Sequence, residues 1–481
     1  MKKITFILAA FILGLISIVS ANNIEVAAGM DGIKNAYDTA SPGDVIVLTT
    51  SGGEYLEPGK LYIQKDISIV AAEGLEEKPQ IINYLDNTFF KVDSGSVTLK
   101  GVVLQGYYDA DGNDTTDTVI KFGVSVKITD STKTHVKVKI LDCIFNNFVS
   151  VKKAKGIYVS SGSVASVDSL IIRNTIFRGI SQYAMYLRKG YKTVDGVRVP
   201  INDASLKGAA RYFELSNCLF DNYGYVAPGF GVLFESWEDS LVTTNYPTAT
   251  PEDYLPTVKV DHCTFVNFIK TGLRFQNSAD ITVKNSIFAY ADTTGGGVAV
   301  HVLDLGNNGS VNSTVHNVLY WVDDNGGPWV DPLYADTVWS ETILADTDPM
   351  FADTINYALK EGSPGKNAGD DGKDLGFLGD ITTAIENESI TAVPQTYSLE
   401  QNYPNPFNPT TTIKYNVPET ENVKISVYNV LGQEVAVLLN KKVNAGNHTI
   451  EFKVAELSSG VYIYRMEAGS FTSYKKMIIM K

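Results

Sequence analysis

The sequence predicts an all-β protein, a long stack of parallel coils followed by a small antiparallel sandwich. Two observations predict it. A phrase of alternating apolar residues, a polar turn, a small residue and an aromatic recurs through the middle of the chain. Residues 398–481 then break into short strands separated by turn residues. The 40 Gly and 26 Tyr suit an architecture rich in strands and turns.

The chain opens on a secretory signal. Lys2 and Lys3 give a positive start, Phe6 to Val19 an apolar stretch, and Val19-Ser-Ala21 a small-residue cleavage pattern. The apolar run is shorter than the roughly 18–20 residues of a membrane span, so cleavage after residue 21 is expected rather than anchoring. The net charge of −14 excludes nucleic acid, which requires clustered Lys and Arg. That acidity lies in the body, because residues 398–481 hold nine Lys/Arg against seven Asp/Glu.

Residues 29–41 form the expected cap at the start of the stack, with Met30, Ile33, Ala36 and Tyr37 on one helical face. Ser41-Pro-Gly-Asp-Val-Ile-Val-Leu48 leads into the first strand. The repeat itself appears as Val138-Lys-Ile-Leu-Asp-Cys-Ile-Phe145 and Leu170-Ile-Ile-Arg-Asn-Thr-Ile-Phe177. It returns as Phe213-Glu-Leu-Ser-Asn-Cys-Leu-Phe220, Val258-Lys-Val-Asp-His-Cys-Thr-Phe265 and Ile281-Thr-Val-Lys-Asn-Ser-Ile-Phe288, with a weaker copy ending at Tyr320. A second phrase, a small residue before a short strand, precedes most copies: Gly156-Ile-Tyr-Val159, Ala184-Met-Tyr-Leu187, Gly231-Val-Leu-Phe234 and Gly272-Leu-Arg-Phe275.

Such units cannot bury an apolar face alone, but stacked units share one core. Period-two alternation puts Val258, Val260 and Phe265 inside and Lys259 outside. Repeat lengths of 23 to 45 residues are those of a fixed coil with loops inserted. Cys143, Cys218 and Cys263 each fall two residues before an aromatic, where other copies carry Thr175, Ser286 and Val318. They read as stacked small core residues; a Cys218–Cys263 disulfide between neighbouring coils stays open.

These phrases resemble the right-handed parallel β-helix of pectate-lyase-like proteins. The resemblance extends to the opening segment and to the closing one, Asp348-Pro-Met-Phe351 through Asp374-Leu-Gly376, which ends the body near residue 380. Residues 381–397 read as a linker. In the tail, Asn402-Tyr-Pro-Asn-Pro-Phe-Asn-Pro409, Val427-Tyr-Asn-Val-Leu-Gly432, Leu457-Ser-Ser-Gly-Val-Tyr462 and the strand ending at Lys481 resemble type IX secretion sorting domains of type A, with an immunoglobulin-like sandwich fold. That resemblance implies export across the outer membrane of a Bacteroidetes-like cell by the type IX machinery, leaving the protein on the cell surface or released; separately, a monomer is expected.

Function is sought on the outer face of the Gly-led strands. With Ile157, Val159, Met185, Leu187, Val232, Phe234, Leu273 and Phe275 inward, one outward row reads Tyr158, Tyr186, Leu233, Arg274, His301. The next reads Ser160, Arg188, Glu235, Gln276, with Lys189 and Trp237 just beyond their strands. Tyr158, Tyr186, Trp237, Gln276 and His301 are the expected polysaccharide contacts. Arg188, Lys189, Glu235 and Arg274 are the candidates for catalysis, since a lyase must neutralise a uronate carboxylate before a base removes the adjacent proton. A solvated face with cross-strand ion pairs such as Arg188–Glu235 is the competing reading. No lyase signature and no paired-carboxylate hydrolase site is matched. The expected functions are therefore polysaccharide binding, elimination on an acidic glycan, or non-catalytic adhesion. Asp109, Asp111, Asn113, Asp114 and Asp117 crowd one loop and are candidate calcium ligands, or a simple acidic turn.

Overall fold

The computed structural model describes residues 21–379 and 397–479, except 84–87, 109–117, 120, 149–153, 224–229, 269–270, 278, 290–300, 305–313, 322–341, 345–346, 400–401, 403–404, 406, 408, 418–420, 430–431, 444–445, 455–456 and 470. The body is a parallel β-helix. Among the described residues the coils contribute parallel strands to three faces, the first two joined by shared strands, and these strands pair with counterparts one coil away.

The first sheet runs from Asn23–Val26 and Val45–Leu48 through Lys137–Leu141, Val167–Arg173, Ala210–Ser216 and Thr257–Asp261. The second contains Ile144–Phe148, Ile176–Ile180, Leu219–Tyr223 and Thr264–Phe268. Strands Asp280–Ala289 and Thr314–Trp321 span both. The third sheet comprises Leu61–Ile63, Thr88–Val92, Phe122–Val126, Lys155–Val159, Tyr183–Leu187, Phe230–Glu235, Thr271–Gln276 and His301–Asp304.

The repeat sets the register. Phe145, Phe177, Phe220, Phe265 and Phe288 pair coil to coil and stack inside, with ring centroids 4.7, 5.0, 4.5 and 4.8 Å apart. Those spacings match the roughly 4.8 Å between neighbouring strands, so ring stacking and backbone pairing favour the same geometry. Between the first and second sheets the chain turns through a left-handed residue: Asp142, Asn174, Asn217, His262, Asn285 and Asn317 all have φ between 49° and 54°. Asn tolerates that conformation and its amide can bond to the preceding coil, as Asn217 Nδ2 does to Asn174 Oδ1 at 2.9 Å. This explains the Asn-x-x-Phe phrase.

The N-terminal helix Gly32–Thr39 buries Ile33, Ala36 and Tyr37, as its periodicity requires. Met30 does not join them. It is 64% exposed in the short strand Gly29–Met30, because Asp31 adopts a left-handed conformation and separates strand from helix. The helix N-terminus is capped from the next coil: Glu57 accepts bonds from Ile33 N at 2.8 Å and Lys34 N at 3.1 Å.

The closing segment, residues 348–378, is a strap laid along the outside of the second sheet. Phe351, Tyr357, Leu359, Leu375 and Phe377 pack on an outward apolar row that includes Val103, Ile144, Ile176, Leu219, Ile287 and Leu319. Its polar groups seize the coil turns. Arg178, paired with Asp221 at 2.9 Å, also donates to Ile355 O. Tyr357 Oη and Asn267 Nδ2 both donate to Asp221 Oδ1. Asp370 accepts from Lys284 and Asn285, and Phe377 N donates to Thr264 Oγ1. The strap passes so close that a Cβ on Gly376 would lie 2.4 Å from Thr264 Oγ1.

The tail is a sandwich of two antiparallel sheets. Ser398–Leu399, Thr410–Val417 and Gly446–Lys453 form one; Glu434–Val443, Glu421–Tyr428, Gly460–Ala468 and Phe471–Ile479 form the other. The opening motif is structural: Asn402 N donates to Tyr464 Oη at 2.8 Å, and Phe407 enters the core.

Two outcomes test this account. Phe220→Ala removes the middle ring of the internal stack and should cost about 3–5 kcal/mol in denaturant unfolding; a near-neutral result would mean the rings do not hold the coils. Burial pushes the Glu57 carboxyl up from 4.5 to about 7, against the opposing pull of the two N–H donors. The stability linked to its protonation is therefore fully present below about pH 4.5 and is lost as pH rises through about 7. Tm should fall between pH 5 and 8, and Glu57→Gln should lose that component; an unchanged pH slope in the variant would refute it.

Candidate functional site

The outer face of the third sheet is shaped by a column of small residues. Gly123, Gly156, Ala184, Gly231 and Gly272 lie buried at equivalent positions. A Cβ at Gly123 would come within 2.7 Å of the Phe145 ring, and one at Gly156 within 3.0 Å of Phe177. At Gly123 and Gly156 the internal phenylalanine stack and the neighbouring coil's carbonyl therefore favour a residue without a Cβ. The next residue in each strand, Val124, Ile157, Met185, Val232 or Leu273, is also buried. Two consecutive inward residues break the period-two alternation. Residues three apart consequently share the outer face: 122 with 125, 155 with 158, 183 with 186, 230 with 233, and 271 with 274.

The result is a continuous run of rings, in which Phe122, Tyr158, Tyr183 and Tyr186 are partly exposed and Phe230 is buried. Phe122 stacks on Tyr158 at 4.9 Å, and Tyr158 meets Tyr186 at 6.0 Å. Tyr186 stacks on Tyr183 at 4.7 Å, and Tyr183 on Phe230 at 5.6 Å. Cations rest on the rings. Lys155 Nζ lies 5.4 Å from the Phe122 centroid, 5.8 Å from Tyr158 and 5.6 Å from Tyr183. Arg188 lies 5.3 Å from Tyr186, and Arg274 5.5 Å from Phe230. Each geometry is a cation–π contact. Glu235 completes the cluster, 3.6 Å from Arg188.

The electrostatics follow from burial. It pushes the Tyr186 hydroxyl up to about 12, with Glu235 adding to the effect, and it raises Tyr183. Burial opposes the Arg188 charge, but Glu235, Tyr186 and Tyr158 more than offset it. Lys189 is lowered by burial.

The structure brings Tyr158, Tyr186, Arg188, Glu235, Arg274 and Gln276 together on this face, with Glu235 and Gln276 paired in register. It separates two others from it and moves a third to another row. Trp237 is buried with Leu206, Val242 and Tyr254, and its Nε1 donates to Ser205 O at 3.1 Å. Its ring is core for a small subdomain formed by the loops after Leu187 and Glu235, so it offers no stacking surface. Lys189 turns into the same subdomain, 4.3 Å over the Trp237 ring and bonded to Ser236 O at 2.8 Å. His301 pairs with Thr271, while Arg274 pairs with Asp304, so His301 stands one row away from where the repeat alone puts it. The loop holding Asp109, Asp111, Asn113, Asp114 and Asp117 lies outside the described residues. Among the described residues no group of three His, Cys, Asp or Glu is arranged to hold a metal ion.

The repeat alone does not place Phe122, Lys155, Tyr183 and Phe230 on this face. Strict alternation turns all four inward, and only the small residue that follows each marks where alternation fails.

Comparisons with known proteins bear on the two parts differently. No curated protein matches the chain. Among solved structures, PL6 family alginate lyase AlyGC is similar at 13% identity and a TM-score of 0.31, covering 68% of this chain and 39% of that one. A mutant of the same lyase is similar at 16% identity and a TM-score of 0.39, covering 68% and 40%. The chain thus spans about two fifths of that lyase's length. Among the described residues no helix is long and apolar enough to cross a membrane. Residues 401–480 match the secretion system C-terminal sorting domain, so this β-helix carries the tail that directs a protein through the type IX machinery to the cell surface or the extracellular space.

Proposed function

We propose that the outer face of the third sheet binds an acidic polysaccharide without cleaving it. The observation that carries this reading is the run of stacked rings from Phe122 to Phe230 with Lys155, Arg188 and Arg274 resting on it. Tyr158 and Tyr186 are partly exposed, so each ring has a face for the apolar side of a sugar. A guanidinium beside a ring suits a carboxylate, which it can bond in two places at once. Neighbouring coils offer these groups roughly every 4.8 Å, a spacing that suits a repeating polymer.

The groups that elimination would need support binding instead. A general base works best with a pKa near the working pH, and Tyr186 is displaced to about 12. Lys189, lowered by burial, is held by Ser236 O away from this face. Arg188 faces Glu235, which competes with a substrate carboxylate for its charge.

Binding by the exported protein to pectate, alginate and chondroitin, measured calorimetrically, is the direct test. Tyr186→Ala should weaken binding about tenfold, equivalent to about 1.4 kcal/mol, whereas Tyr212→Ala on the first sheet should leave it unchanged. Equal affinities for wild type and Tyr186→Ala would remove this face from the reading. Growth of the ultraviolet absorbance of an unsaturated uronate product would replace binding with elimination, and loss of either signal with a chelator would assign calcium to it. Binding to cells or matrix with none of these glycans would make the protein an adhesin. Removal of residues 401–480 should leave the body inside the outer membrane, as read by surface protease accessibility; normal surface display would refute the role of the tail.

A further inference from the structure

We propose that Cys218 and Cys263 are joined by a disulfide in the exported protein, stapling two neighbouring coils from within, while Cys143 stays a thiol. All three are thiols in the structure and all are buried. They occupy one inward column, just before the second-sheet strands. Leu219 pairs with Thr264, and Thr264 N donates to Cys218 O at 2.9 Å, so Cys218 and Cys263 are direct neighbours across one coil spacing. The backbone separation is then about 4.8 Å, inside the range a disulfide spans. The two side chains are in contact, and the Cys218 thiol is among the groups that raise the Cys263 thiol.

Cys143 cannot take part. Phe145 pairs with Phe177 and Phe177 with Phe220, which places Thr175 in the column between Cys143 and Cys218. Two coil spacings are roughly 10 Å, beyond the reach of a disulfide. The other polar members of the column show what the position asks for when no bridge forms. Thr175 Oγ1 donates to Arg173 O, and Ser286 Oγ to Lys284 O, each to the carbonyl two residues before. Cys143, Cys218 and Cys263 make the same bond through sulfur. A hydroxyl satisfies the site, so the coil does not itself demand sulfur at two adjacent levels.

Export supplies the chemistry. Outside the cytoplasm, disulfide donors of the thiol–disulfide oxidoreductase class are available. One cysteine thiolate attacks the donor disulfide and releases one donor thiol. The second thiolate then attacks the mixed disulfide and releases the other. Two electrons pass to the donor, its two sulfurs take up the two protons, and the Cys218–Cys263 bond forms. Burial raises the Cys263 thiol well above its ordinary range, which suppresses the thiolate in the folded coil. Bridging therefore belongs to the period before these coils zip together. The staple closes the segment 218–263, which carries strand Phe230–Glu235 and the Trp237 subdomain.

The test is a thiol count by mass on the full chain after export. Protein recovered from the culture is denatured and alkylated without reductant, then measured intact and after digestion. One alkyl adduct, on Cys143, with a peptide linking Cys218 to Cys263 is the expected result. Three adducts, or any link through Cys143, would overturn the proposal. In Cys263→Ser the count should rise from one to two, as the released Cys218 becomes reactive; a fall from three to two in the same comparison would equally overturn it. Because alkylation is done in denaturant, the count is read whether or not the coils of the variant close.

Discussion

The structure depends on one coincidence of lengths. Parallel strands repeat at roughly 4.8 Å, and flat rings pack face to face at nearly that distance, as the Phe145 to Phe288 series does. A phenylalanine at a fixed phase of every coil can thus stack without straining the backbone ladder. A slip of one residue would turn the rings out of the core and lose the ring contacts and the strand pairing together. The left-handed Asn turns reinforce the same phase, because the amides of Asn217, Asn285 and Asn317 bond to the turn of the preceding coil. Loops vary freely in length because neither constraint acts on them.

That internal stack reaches the surface through the small-residue column. Rings inside leave no space for a Cβ at Gly123 or Gly156. The strand yields by placing two residues inward in succession, and this puts Lys155 and Tyr183 on the same outer face as Tyr158 and Tyr186. The candidate site is a consequence of core packing rather than an addition to it. The strap of residues 348–378 has the complementary effect on the second sheet, whose outer apolar row it covers. It is held by a buried Arg178–Asp221 pair and by Tyr357. Breaking one partner of such a pair leaves an uncompensated buried charge, so the strap is tied where release would be costly.

Export frames what the outer faces meet. The sorting tail takes the chain to the outside of the cell, where glycans are abundant and thiols are oxidised. An aromatic face bearing guanidinium groups fits the first condition. A pair of stacked cysteines inside the coils fits the second.

The sequence by itself determined the parallel stack, the coil-to-coil register and the sorting tail. Those properties rest on local repetition: each copy of the Asn-x-x-Phe phrase carries its own turn and its own ring, so reading one copy reads them all. It also determined which of Tyr158, Tyr186, Arg188, Glu235 and Arg274 turn outward, because they follow the alternation. Only the tertiary structure decided the rest. Lys155 and Tyr183 share the outer face of Tyr158 and Tyr186 because the small residue beside each turns inward together with the one after it, and at Gly156 a neighbouring coil's ring leaves little room for a Cβ. Trp237 and Lys189 leave the site because two inserted loops, distant in sequence, make a core of their own. Met30 leaves the cap because a left-handed Asp31 ends its strand, and His301 shifts a row because its strand pairs it with Thr271 and not with Arg274. For Lys155, Trp237 and Lys189 the deciding contact lies between segments that no local pattern connects.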